Sequence, residues 1–179
     1  KSNSITKVTA TGSALVPYQY DQSFIVGRGL ACPWSLVSRG TAHYGLFYDG
    51  VQRFTGSQFT SIGRGRVDRG ILDSINQNAL AMAKGIFNFN SNEYWLGIPA
   101  GANTSCSEVW VYYEPTDAWS YFTFGSNFGH FFEYSGSGSV TIDSLTGAID
   151  DLTGSFDAAY FNTFASSILI GMLAGGIAE

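Results

Sequence analysis

The side chains able to do chemistry in this sequence are few, and their spacing favours no reaction. Only two histidines occur, His43 and His130, each beside an aromatic residue in a strand-like run. A catalytic imidazole needs a nucleophile and an orienting carboxylate brought close to it. No serine stands in a G-x-S-x-G turn, and no Gly-rich phosphate loop is present. Glu93, Glu108 and Glu114 with Asp117 are the carboxylates a glycosidase pair would draw on. They fall near strand ends, where solvent-facing positions at sheet edges are expected.

Metal and thiol chemistry fare no better. Asp143, Asp150, Asp151 and Asp157 carry the hard oxygen ligands that calcium takes, but the D-x-D-x-D-G spacing of a calcium loop is missing. Capping of local turns is the preferred reading. Cys32 and Cys106 lie in no C-x-x-C or Cys/His pattern, so zinc is not expected. Two cysteines are too few to staple a domain of this size, and buried free thiols are expected. The residues therefore predict no catalytic, cofactor-binding or metal-binding set, no cofactor, and no enzyme.

Charge excludes one further class. The 179 residues carry a net charge of -5, and an acidic surface does not attract phosphate backbones. The local exception is Arg53, Arg64, Arg66 and Arg69, which alternate with Asp49, Asp68 and Asp73. That interleaving predicts an ion-paired, solvated face rather than an anion site.

The elements that must position these residues are short. Aromatic residues make up 16% of the chain and charged ones 13%, and there are 22 glycines. Such a balance excludes disorder and suits many strands joined by tight turns. His43–Tyr48 and Val51–Phe54 read as a strand pair about Asp49-Gly50, a strong hairpin signal. Gly56 and Ser57 turn the chain into Gln58–Ile62. Val67, Ile71 and Ile75 recur every four residues, which predicts one short helix over Arg66–Asn76. Leu80–Phe89, Glu93–Ile98, Glu108–Tyr113 and Ala118–Phe124 then follow as four strands with turn residues at each join. An up-and-down meander of four strands is the unit of a propeller blade.

One repeat supports that unit, and a second marks a loop. Arg53-Phe54-Thr55-Gly56-Ser57 matches Glu133-Tyr134-Ser135-Gly136-Ser137 in residue type, at a separation of about two blades of about 40–50 residues each. Ile142-Asp143-Ser144-Leu145-Thr146-Gly147 is followed at once by Ile149-Asp150-Asp151-Leu152-Thr153-Gly154. A glycine in each copy argues against a helix, and a long ordered loop at 139–166 is expected. The organisation predicted is a leading strand or linker over 1–28 and about three blades over 29–179, the last incomplete from Phe128. The absence of a leading Met and the abrupt end at Glu179 suggest an excerpt of a longer polypeptide. Three blades cannot close a ring, so open sheet edges needing cover are expected. The aromatic set Tyr94, Trp95, Trp110, Tyr112, Tyr113, Trp119 and Tyr121 is expected in the core, with Trp119 buried beside Tyr112 or Tyr94; a sugar-stacking platform is the lesser alternative.

In their order along the chain, Cys32-Pro33-Trp34-Ser35, Phe47-Tyr48-Asp49-Gly50-Val51-Gln52-Arg53-Phe54-Thr55-Gly56, Glu93-Tyr94-Trp95-Leu96-Gly97-Ile98-Pro99, Val109-Trp110-Val111-Tyr112-Tyr113, Ala118-Trp119-Ser120 and the tandem Ile-Asp-x-Leu-Thr-Gly make a pattern. It resembles the β-propeller region of short-tailed phage tail nozzle or tail-tube-like structural proteins, of the phage stabilisation type. The resemblance spans about 29–179 and departs from the family near Glu114-Pro115-Thr116, which is short. It implies an all-β fold of antiparallel meanders, a structural virion component lining the genome-exit channel, and partners among other tail proteins and copies of itself in a ring. DNA would pass without being specifically bound. A host-glycan-binding domain, and after it a polysaccharide-degrading enzyme, are the alternatives.

Overall fold

The computed structural model describes residues 4–56, 58–135 and 166–173. It is built from antiparallel sheets with little helix. Strand β1 (Ser4–Ala10) pairs with β2 (Tyr18–Val26) as a separate two-stranded hairpin. Strands β3 (Val37–Arg39), β4 (Ala42–Phe47), β5 (Gly50–Thr55) and β6 (Gln58–Ser61) form a four-stranded meander. After helix α1 (Asp68–Ser74), β7 (Lys84–Asn88), β8 (Glu93–Ile98), β9 (Cys106–Tyr113), β10 (Ala118–Ser135) and β11 (Ser166–Met172) form a second sheet in sequence order. All pairings are antiparallel. This is the all-β, blade-like meander architecture expected from the sequence.

The β4–β5 turn differs in detail from its sequence signal. Phe47 pairs with Gly50, so the two loop residues are Tyr48 and Asp49. Of these residues only Gly50 has positive φ, at 114°. A type I′ turn needs two such residues; one glycine after two ordinary ones fits a type I turn closed by a glycine bulge. Gly50 is also required by space, because a Cβ there would run into the Asp68 carboxylate. Gly56, at φ 66°, makes the β5–β6 turn as its type suggests.

The helix lies where the four-residue period places it, with Ile71 and Ile75 buried. Its first residue, Asp68, accepts a hydrogen bond from the Val51 amide at 2.9 Å and so ties the helix to β5. Burial pushes the Asp68 carboxyl up from its ordinary range, and the nearby charge of Asp49 adds to this; the bond from Val51 opposes it. A carboxyl raised on folding favours the native state most below its unfolded pKa, near 3.8. That favour is lost as pH rises through the folded value. Asp68→Asn keeps an acceptor for Val51 and removes the ionisation. Its melting temperature relative to the native chain should therefore rise between pH 4 and neutrality, as thermal melts across that range would show. A constant difference would refute the burial argument.

Three strand expectations change. Leu80–Met82 belongs to a 3-10 stretch, Gln77–Met82, with the strand starting only at Lys84. Gly125 does not end the fourth strand: β10 runs 18 residues through it, with a bulge between Thr123 and Phe128. A glycine inside a strand commonly marks such an irregularity. Phe128–Ser135 consequently continue the same strand. They pair with β11 as a fifth strand on the same sheet. The tandem Ile-Asp-x-Leu-Thr-Gly repeat, Asp143, Asp150, Asp151, Asp157 and most of the 139–166 loop lie outside the described residues.

Two cores follow from strand alternation. Tyr94, Leu96, Ile98 and Tyr112 face the four-stranded sheet and pack with Tyr44, Leu46, Val51, Ile71 and Phe87. The opposite face of the second sheet holds Val109, Val111, Phe128 and Phe131. That sheet curls as a half-barrel, bringing β10 and β11 back towards β7. Gly97 makes this approach possible, since the Phe128 and Phe131 rings stand where a side chain would be.

Candidate functional site

Charged groups converge in one place, at the seam between the two sheets. Arg39 ends β3, Arg53 lies on β5 opposite Tyr44 on β4, and Glu114 follows β9. Tyr44, Arg53 and the core residues of β4 share a face, so both reach the seam. Pro115 opens the turn after β9 and Asp117 closes it in the left-handed region at φ 53°. This tight turn directs Glu114 inward rather than to solvent, which corrects the edge position expected for it.

The Glu114 carboxylate accepts a 2.6 Å hydrogen bond from the Tyr44 hydroxyl. It forms ion pairs with Arg39 and, at 3.5 Å, with Arg53. Arg39 also donates to Asn92 Oδ1 at 2.5 Å and lies 5.0 Å from the Phe87 ring. Below this layer Tyr44 contacts Phe87, Tyr94 and Tyr112 at ring separations of 5.4, 5.6 and 6.4 Å. Burial raises the Tyr44 and Tyr112 hydroxyls, Tyr112 to about 12. Neither supplies a proton near neutral pH. The carboxylate is fully engaged by its three partners, so the cluster works as a latch between sheets.

The other candidate residues are dispersed. Glu93 accepts from Ser91 Oγ at 2.7 Å and Trp95 Nε1 at 2.9 Å, and Glu108 accepts from Ser74 Oγ at 2.8 Å. Asp117 pairs with Arg66 at 2.7 Å. Arg69 pairs with Asp73 across one helical turn, and Arg28 with Asp49. Three of the interleaved arginines are thus ion-paired, but only Arg69 with an Asp of the interleaved set; Arg53 and Arg66 pair with Glu114 and Asp117 outside it, and Asp68 serves the backbone. His43 contacts Ser38 Oγ at 2.8 Å and stacks on Phe54. His130, on the other sheet, makes a T-shaped contact with Trp34.

Cys32 and Cys106 are free and buried. Their thiols donate to carbonyls of one segment, Cys32 to Ala83 at 2.9 Å and Cys106 to Met82 at 3.3 Å. Burial raises both, Cys106 to about 11, which makes them poor nucleophiles. Among the described residues no three metal-ligating side chains gather in one place. No described helix is long and apolar enough to cross a membrane.

Of the seven aromatic candidates, Tyr94 and Tyr112 are buried, Trp95, Trp110 and Trp119 are half-buried, and Tyr113 and Tyr121 are exposed. Trp119 packs 5.3 Å from Tyr112 and donates to the Ile62 carbonyl at 3.0 Å. Sequence reasoning missed a different aromatic row on the outer side of β10, where His130, Phe132 and Tyr134 share a face. It also missed an apolar cavity of about 240 Å³ beneath the β1–β2 hairpin, lined by Ile5, Leu30, Leu36, His43, Phe47 and Phe54. Alternation along β10 was the available signal for the first, and the second arises only from tertiary packing.

No protein-family model matches the chain, and a search of curated proteins finds no match either.

Proposed function

We propose that this chain is a structural component of a phage tail, of the nozzle or tail-tube-like kind, contributing blades to the wall of the genome-exit channel. The observation that carries this reading is the placement of the resemblance motifs on strands of two successive meanders. Phe47–Gly56 spans a hairpin of the first sheet, while Glu93–Pro99, Val109–Tyr113 and Ala118–Ser120 fall on three consecutive strands of the second. Support comes also from the inter-sheet latch, whose charges are spent on holding sheets together. A net charge of -5 suits a channel that DNA passes without sticking. In this reading the partners are other tail proteins and further copies of the chain.

The test is immunogold labelling of particles released by the organism that encodes the chain, using an antibody to residues 1–179. Label at the tail tip is expected. Label absent from particles, with the protein remaining in cell extract, would overturn the proposal.

A further inference from the structure

We infer that the β1–β2 hairpin is an arm that seats on the outer β10–β11 face of a second copy of this chain. Ile5 and Phe24, near its base, line the cavities against the four-stranded sheet. Beyond the register shift at Ile5/Lys7 the arm is exposed. There Val8 pairs with Tyr20 and Ala10 with Tyr18, which puts these four on one side. Lys7 paired with Asp21 and Thr9 paired with Gln19 occupy the other. The ribbon is therefore amphipathic, yet Tyr18 is 56% and Tyr20 62% exposed. Leu15 and Val16 add to the same apolar end at the tip, and an isolated two-stranded ribbon is marginal in water.

The second surface lies on the far sheet. Phe132, Tyr134 and Leu169 point outward from β10 and β11, each about half exposed, beside exposed Trp34. Area decides between the possible pairings. At these exposures the arm presents on the order of 600 Å² of apolar side chain and the β10–β11 face roughly 450 Å², so arm on face buries roughly the 1,000 Å² that a specific contact requires. Counted per copy, arm on face covers both patches, whereas arm on arm covers only the arm, about 600 Å², and leaves the β10–β11 face open. Two different surfaces meet, so the contact closes either as a two-fold dimer by reciprocal exchange of arms or as a ring of copies. The inference rests on the self-assembly part of the proposed function and is indifferent to its phage part.

Light scattering coupled to size exclusion tests it on the full chain. The native chain should assemble. The arm variant Tyr18→Ser/Tyr20→Ser and the face variant Tyr134→Ser/Leu169→Ser should each weaken assembly at least ~10-fold. Mixing the two variants should give a discrete heterodimer, since one intact arm still meets one intact face. Leu15→Asp, at a tip residue 93% exposed, repeats the arm test without touching the core should a serine variant fail to fold. A native chain monomeric at on the order of 100 μM would overturn the inference and the self-assembly reading together. Assembly unchanged in the arm variants would overturn the arm contact alone.

Discussion

Tyr44→Ala should unfold much of the population at temperatures where the native chain is fully folded. Tyr44 is wholly buried and touches three aromatic rings drawn from three strands of the facing sheet, β7, β8 and β9. Removing such a side chain costs about 3–5 kcal/mol through lost burial and the cavity left behind. That is a large share of a stability that runs about 5–15 kcal/mol in ordinary domains. Tyr44→Phe keeps the ring and loses only the bond to Glu114, so about 1–2 kcal/mol is expected. Denaturant titrations of the two variants give the contrast directly. Equal losses would mean that the hydroxyl, not the ring, holds the seam.

Glu114→Ala is the second large effect, expected at about 2–4 kcal/mol. The substitution leaves Arg39 and Arg53 facing each other with no anion between them, and it strips the Tyr44 hydroxyl of its acceptor. Breaking a partly buried ion pair by deleting one partner costs more than the pair itself contributes, because the stranded charges remain. The Arg53 Nε already lacks a partner, which leaves that side chain little to fall back on. Glu114→Gln retains an acceptor and should cost less. In a double-mutant cycle, Glu114→Ala with Tyr44→Phe should be less costly than the two singles added together. Simple additivity would show that the short contact between them carries no energy.

What could be read from the sequence was local. The β4–β5 hairpin, signalled by Asp49-Gly50 though not in its turn type, the turn at Gly56, the four-residue period of Val67, Ile71 and Ile75, and the punctuated strands from Lys84 to Phe124 all write their signals within a few residues. Leu80–Met82 defeats the same method, because a three-residue apolar run looks alike in a strand and in a 3-10 turn. Gly125 misled for a related reason, since a bulge and a strand end use the same residue. The latch was not legible. Glu114 and Arg39 are far apart in sequence, and nothing near either records that a turn after β9 will carry a carboxylate across to another sheet. The small number of cysteines and their lack of ligand spacing pointed to buried free thiols, but their free state and shared contact with the 81–84 segment needed the fold.

β10 belongs to two environments at once. Its first part is hydrogen-bonded to β9 and its last residues to β11, with the bulge between. A single strand thereby reports two different opening energies. Those amides of Trp119–Phe122 that bond to β9 should exchange with solvent only when that pairing opens, while those from Phe132 onward that bond to β11 should exchange whenever β11 peels away. The bulge is placed to act as a fuse: unzipping of the β11 pairing should stop there and leave the β9 pairing closed.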